Sequence, residues 1–198
     1  MFGKEYKTMA AAAAGKVKMG KENPVGYFLL SMLAGAFIGF GMLLAFSISG
    51  YLEGALYAKI IMGAAFGAAL SLVVMAGAEL FTGNNLVLAA GCFQKTISPG
   101  DAIRLWIFCW LGNLAGSVLL AVIYYMTGLD SGVVADAIAA GAQAKMTASA
   151  LALFTRGILC NILVCLAVWC TFKCKSESGK LIMIFWCILA FFTTGFEH

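Results

Sequence analysis

The single histidine of the chain, His198, closes the sequence after Gly195, Phe196 and Glu197, at the end of an apolar run. Imidazole titrates near pH 6.5 in ordinary surroundings, so it can trade a proton at physiological pH. An ionisable group at membrane depth is costly enough that function is the default explanation for it. Two carboxylates, Glu79 and Glu197, also fall inside apolar stretches. Thr82-Gly83-Asn84-Asn85 follows the first, and Thr193-Thr194-Gly195 precedes the second. A carboxylate beside a helix break can accept hydrogen bonds from freed backbone N–H groups, so a structural role is expected for both ahead of substrate contact. Thr82 adds a hydroxyl that donates and accepts, and Asn161 needs a polar partner within its apolar span. Lys145, at the outer end of that span, would concentrate anions at a pore mouth. Arg156 lies deeper and must pair or face a polar cavity. Phe66, Leu70, Leu80 and Phe191 suit ordinary helix packing and equally suit narrow apolar gates.

The elements that would position these groups are set by composition. Of 198 residues, 63% are hydrophobic and 11% charged, and the mean hydropathy is +0.97. A soluble domain carries about a quarter charged residues, and a core of this size could not hide so much apolar surface. The chain is therefore expected to be an all-α membrane protein. Its uncharged runs, such as 25–52, 105–129 and 157–172, are continuous and lack the alternation of barrel strands. The 23 glycines suit closely packed membrane helices. The seven cysteines form no CxxC pair and are expected to be reduced packing residues. An intramembrane enzyme is excluded on similar grounds: there is no HExxH and no second histidine, and Asp130 and Asp136 lie in a loop.

Charge placement gives the orientation. Lys/Arg cluster in the N-terminal segment (Lys4, Lys7, Lys16, Lys18, Lys21), around Lys95 and Arg104, and in Lys173, Lys175 and Lys180. The net charge of +4 thus follows alternate loops rather than forming a nucleic-acid surface, and the N-terminus is expected in the cytoplasm. Met9–Ala14 is too short for a signal-peptide core and reads as a short amphipathic helix against the cytoplasmic face. Spans are expected from Pro24 to about Ile48, about 56–81, from Pro99 to about Thr127, about 146–171, and from Lys180 onward. The stretch 128–145 reads as an outside segment. The second and fifth spans are both interrupted, and they run in opposite directions. Interrupted helices at matching places in inverted repeats point to a transport site at the midplane. The segments are then 1–23, a cytoplasmic lead; 24–128, a three-helix repeat; and 129–198, an incomplete second repeat whose sixth span is expected outside these 198 residues.

Three motifs in this order resemble the formate/nitrite transporter family: Gly77-Ala78-Glu79-Leu80-Phe81-Thr82-Gly83-Asn84, Arg156-Gly157-Ile158-Leu159-Cys160-Asn161 leading into Leu163–Trp169, and Gly195-Phe196-Glu197-His198. The resemblance extends from about Pro24 to the last residue. It implies an aquaporin-like fold of six helices in inverted three-helix repeats, with the second and fifth helices broken, assembled as a homopentamer in the inner (cell) membrane. It places the family's central histidine on His198, its pore-loop threonine on Thr82, its outer lysine on Lys145 and its pore asparagine on Asn161. Its constriction positions fall on Phe66, Leu70, Leu80 and Phe191, with Glu79 and Glu197 supporting. The family continues with the other half of the fifth helix and a sixth span.

The function expected is a passive or proton-linked channel for small monovalent anions of weak acids, namely formate, nitrite or hydrosulfide, with no cofactor or metal. Lys145 would draw the anion in, Thr82, Asn161 and His198 would bond it between apolar constrictions, and His198 would supply a proton so that a neutral acid crosses. The alternatives are a non-conducting truncated fragment of such a channel and a neutral-solute aquaporin-like channel, although neither break carries the Asn-Pro-Ala of the latter.

Overall fold

A computed structural model describes residues 3–196, so Glu197 and His198 lie outside the described residues. Eight helices follow in chain order: α1 (Gly3–Glu22), α2 (Pro24–Tyr51), α3 (Ala58–Ala76), α4 (Phe81–Phe93), α5 (Pro99–Met126), α6 (Gly132–Thr147), α7 (Ala150–Lys173) and α8 (Glu177–Thr194). Five of them (α2, α3, α5, α7 and α8) are long and apolar enough to cross a membrane. The two prolines open spans as expected: each sits in the first turn, behind Asn23 or Ser98, whose side chain accepts from the backbone N–H of Gly26 or Asp101. At 28 residues, α2 and α5 are about 42 Å long, more than the ~30 Å hydrocarbon layer, so each must tilt or project.

Neighbouring elements pack in the order α5, α2, α3, α8, α7, α4 and back to α5, which closes a ring. Glycine seams hold it tight. A Cβ on Gly35 would fall into the backbone carbonyl of Asn113, and one on Gly116 into that of Met32, so α2 and α5 touch backbone to backbone. Large apolar side chains such as Leu33, Phe40, Ile107, Leu114 and Ile162 point outward from the ring and are exposed. In water such faces would be unstable, but in lipid they are the solvent-matched surface.

Two regions depart from the sequence expectation. The amphipathic N-terminal helix is three times the expected length and is packed rather than laid flat: Met9, Ala13, Val17 and Gly20 recur along one side and are buried. That side meets α4, where Ala13 abuts Gly91, and the carbonyl of Ala10 accepts from Thr96 at 2.9 Å. The segment expected outside is likewise helical over 132–147 and lies against the end of α2, where Gly50 meets the backbone of Val133. Alanine and glycine gave 128–145 no apolar period to read, and tertiary contact supplies what periodicity did not show.

Candidate functional site

The second apolar stretch breaks between α3 and α4. Helix α3 ends on Gly77 in the left-handed region (φ 72°, ψ 31°), which an L side chain adopts only with strain. The N–H of Ala78 then donates back to the carbonyl of Val73 at 3.0 Å. Glu79, Leu80 and Phe81 reverse into α4, and Leu80 stands at the N-cap with no side-chain oxygen to satisfy the first N–H groups.

Asn113, on α5, takes over part of that task. Its Oδ1 accepts from the N–H of Phe81 at 2.9 Å, while its Nδ2 donates to the carbonyls of Glu79 and Ser31, both at 2.8 Å. One amide thus ties α4, the break and α2 to α5. The thiol of Cys109, one turn earlier on α5, donates to the same Glu79 carbonyl at 3.2 Å, and the N–H of Glu79 donates to the carbonyl of Leu30 at 3.2 Å.

The Glu79 side chain is buried, and the hydrogen bonds that hold it come from side chains rather than from the freed backbone N–H groups expected. Lys16 of α1 donates to Oε1 at 2.5 Å and Oε2 at 2.6 Å, Asn84 Nδ2 donates to Oε2 at 2.9 Å, and the Tyr27 hydroxyl donates at 3.2 Å. Asn84 also reaches the Tyr27 oxygen at 3.1 Å. A buried carboxylate is tolerable only when paired and hydrogen-bonded, and here α1, α2 and α4 converge to do so. Beside it, a pocket of about 230 Å³ is lined by Lys16, Glu79 and Asn84 at its polar side and by Leu70, Leu80 and Val73 at its apolar side.

The expected constriction residues are brought together. Phe66, Leu70, Leu80 and Phe191 are all buried in one cluster inside the ring, with Val164 and Ile188 among their neighbours. The Phe66 and Phe191 rings meet edge to face with centroids 6.2 Å apart and planes at 84°. Thr82 and Asn161 are also brought together: Asn161 Nδ2 donates to the Thr82 carbonyl at 3.1 Å and its Oδ1 accepts from Asn85 at 3.3 Å. This pair opens on a largely apolar groove of about 890 Å³ between α4 and α7, lined also by Phe154, Ile158 and Trp169. Lys145 is exposed in the last turn of α6, and Arg156 is exposed on α7. Among the described residues no cluster of His, Cys, Asp and Glu could hold a metal.

Four residues of the network, Asn113, Lys16, Tyr27 and Cys109, are absent from the site expected from the sequence. Asn113 carried a usable signal, since it is a lone amide in an apolar span, flanked by Gly112 and Gly116, just as Asn161 is alone in its own. Lys16 is one of five N-terminal lysines and nothing in spacing separates it. Tyr27 and Cys109 look like packing until the fold sets them beside Glu79.

Helix α8 ends in the same way as α3. Gly195 is left-handed (φ 84°, ψ 29°), and the N–H of Phe196 donates to the carbonyl of Phe191 at 3.1 Å, the bond that Ala78 makes to Val73.

Comparison with known proteins follows this geometry. The sequence model described as "Formate/nitrite transporter" matches residues 4–198. The chain is 40% identical over 203 residues to the nitrite transporter NirC of Escherichia coli (strain K12), covering all of this chain and 74% of that protein. A solved structure described as an FNT family ion channel superposes with a TM-score of 0.93 at 39% identity, covering 98% of this chain and 78% of the other. A pentameric formate channel with formate bound superposes with a TM-score of 0.82 at 34% identity, covering 90% and 71%. A closed ring of helices in which one apolar stretch is broken, matched by the family over residues 4–198, places this chain in the formate/nitrite transporter family.

Proposed function

We propose that the protein is a membrane channel for small monovalent anions of weak acids, such as formate or nitrite, working as a homopentamer in the inner membrane with its N-terminus in the cytoplasm. The observation that carries this reading is the gathering of Phe66, Leu70, Leu80 and Phe191 inside a ring of helical elements, at the level where one helix is broken and a second ends on the same glycine device. The similar proteins are described as a nitrite transporter and a pentameric formate channel, which supports the substrate class and the assembly. Residues 24–128 and 129–198 are read as inverted repeats, preceded by 1–23, with the rest of the second repeat beyond this sequence.

In this reading Lys145 raises the local anion concentration at the outer mouth. A bare charge is then opposed by the apolar cluster, since nothing there solvates it. Thr82 and Asn161 supply the hydrogen-bonding surface next to that cluster. His198, with Glu197 beside it, supplies the proton that lets a neutral acid cross. The test is anion-driven swelling of liposomes holding the full-length protein, with formate, nitrite and hydrosulfide compared with urea. Selective anion flux supports the reading, and equal passage of urea overturns it. A His198→Phe variant with flux unchanged from about pH 5 to 8 removes the proton-relay role.

A further inference from the structure

The break between α3 and α4 presents an uneven problem: Leu80 and Thr82, two residues of the proposed pathway, are the N-cap and the second residue of α4, whose first turn has no side-chain cap of its own. Their positions must be set from outside the turn. Asn113 is placed to do this, because it holds both sides of the reversal at once. Its amide oxygen takes the N–H of Phe81, which lies between Leu80 and Thr82, and its amide nitrogen takes the carbonyl of Glu79 and, on α2, that of Ser31. Three of the four hydrogen bonds an amide can make are used, on three separate segments. The side chain is short, and it reaches because Gly112 and Gly116 on either side let α5 lie against α2, where a Cβ at either position would strike Ser31 or the Met32 carbonyl.

We propose that Asn113 is a positioning residue for selectivity, fixing how far Leu80 and Thr82 project into the anion pathway. This rests on the channel reading above. No other uncharged residue type supplies one acceptor and two donors at this reach. Aspartate keeps the acceptor for Phe81 but turns an oxygen toward two carbonyls. Glutamine keeps both functions and displaces them by one methylene. Sites that must be held to about 0.5 Å are sensitive to such a displacement.

Ser117 is the matched control. It sits one turn further along α5 and its hydroxyl donates to the Gly35 carbonyl of α2 at 3.1 Å, away from the break. Asn113→Asp, Asn113→Gln and Ser117→Ala are compared with wild type in the full-length protein. The readouts are pentamer yield, hydrogen–deuterium exchange over residues 77–84, and the ratio of formate or nitrite flux to chloride flux in liposomes. The expected result is faster exchange over 77–84 and a flux ratio changed by about tenfold in the Asn113 variants, with Ser117→Ala unchanged in both. If the Asp variant fails to assemble, the Gln variant, which keeps the amide, carries the comparison. An assembled Asn113 variant with the wild-type ratio overturns the proposal, as does an equal shift in Ser117→Ala. A wild-type protein that passes no anion overturns the channel reading instead, and unchanged exchange over 77–84 in that case also sinks the positioning role.

Discussion

The ends of α3 and α8 are built with the same device in different described surroundings. Both close on a left-handed glycine, and both fold the second residue past the helix back onto the carbonyl five positions earlier. Beyond Gly77, however, the chain runs into side chains from α1, α2, α4 and α5 that saturate the turn. Around Gly195 the described residues show a backbone cap, and Thr193 Oγ1 is buried with no hydrogen-bond partner among them. Glycine stops a helix wherever it is placed, but a reversal inside a membrane also needs polar side chains delivered from distant helices, because lipid offers the freed backbone groups nothing.

The strongest way to break the contrast is Glu79→Leu. Lys16, Tyr27 and Asn84 would lose their shared acceptor, and thermal unfolding of the purified protein should show a loss of about 3 kcal/mol, the low end for a broken buried pair because Lys16 is partly exposed. A loss under about 1 kcal/mol would mean the brace is ornamental. Next come the glycines themselves. Gly77→Ala meets no atom within 4 Å, and Gly195→Ala meets only the flexible tip of Lys59. Each should lose about 1–2 kcal/mol from backbone strain alone, and the two losses should match in the same melting assay. A much larger loss at Gly77 would show that the brace is coupled to the cap.

The sequence carried the span positions, both helix starts at proline and the break after α3, because length, hydropathy and the Pro, Gly and Thr placements are local properties. Phe66, Leu70, Leu80 and Phe191, separated by up to 125 residues, were expected to form apolar constrictions through the resemblance rather than through any pattern of their own, and the fold buries all four in one cluster. What stayed hidden was pairing across distance. Lys16 could not be told from its neighbouring lysines, and the expected backbone donors to Glu79 were replaced by Lys16 of α1, Tyr27 of α2 and Asn84 of α4. Asn113 shows the remedy, since an amide between two glycines in an apolar span is legible as a clamp even before its partners are known.

Two smaller effects sharpen the comparison further. Glu5 lies outside the membrane spans and bonds Lys173 at 2.9 Å. That ammonium, helped by the residue's own backbone and by Lys4, holds its carboxyl below the ordinary value of 4.5. A depressed carboxyl stabilises above its ordinary range, and the benefit disappears as pH falls through the lowered value. The melting difference between wild type and Glu5→Gln should therefore be present at neutral pH, be smaller than the glycine effects, and close in acid. Persistence of the difference in acid would assign it to packing instead. Last, Thr193→Val should leave stability within about 0.5 kcal/mol or raise it slightly, since it removes a buried hydroxyl lacking a partner among the described residues. A clear loss would place a polar partner at the second break after all.

Helix α1 is held by groups far along the sequence. Its anchors arrive later in the chain: Glu79 is 63 residues beyond Lys16, Asp101 pairs with Lys21 at 2.6 Å, and Lys173 is 168 residues beyond Glu5. Contacts so remote in sequence form late in folding. Docking of α1 through all three pairs thus requires α7 to be in place already.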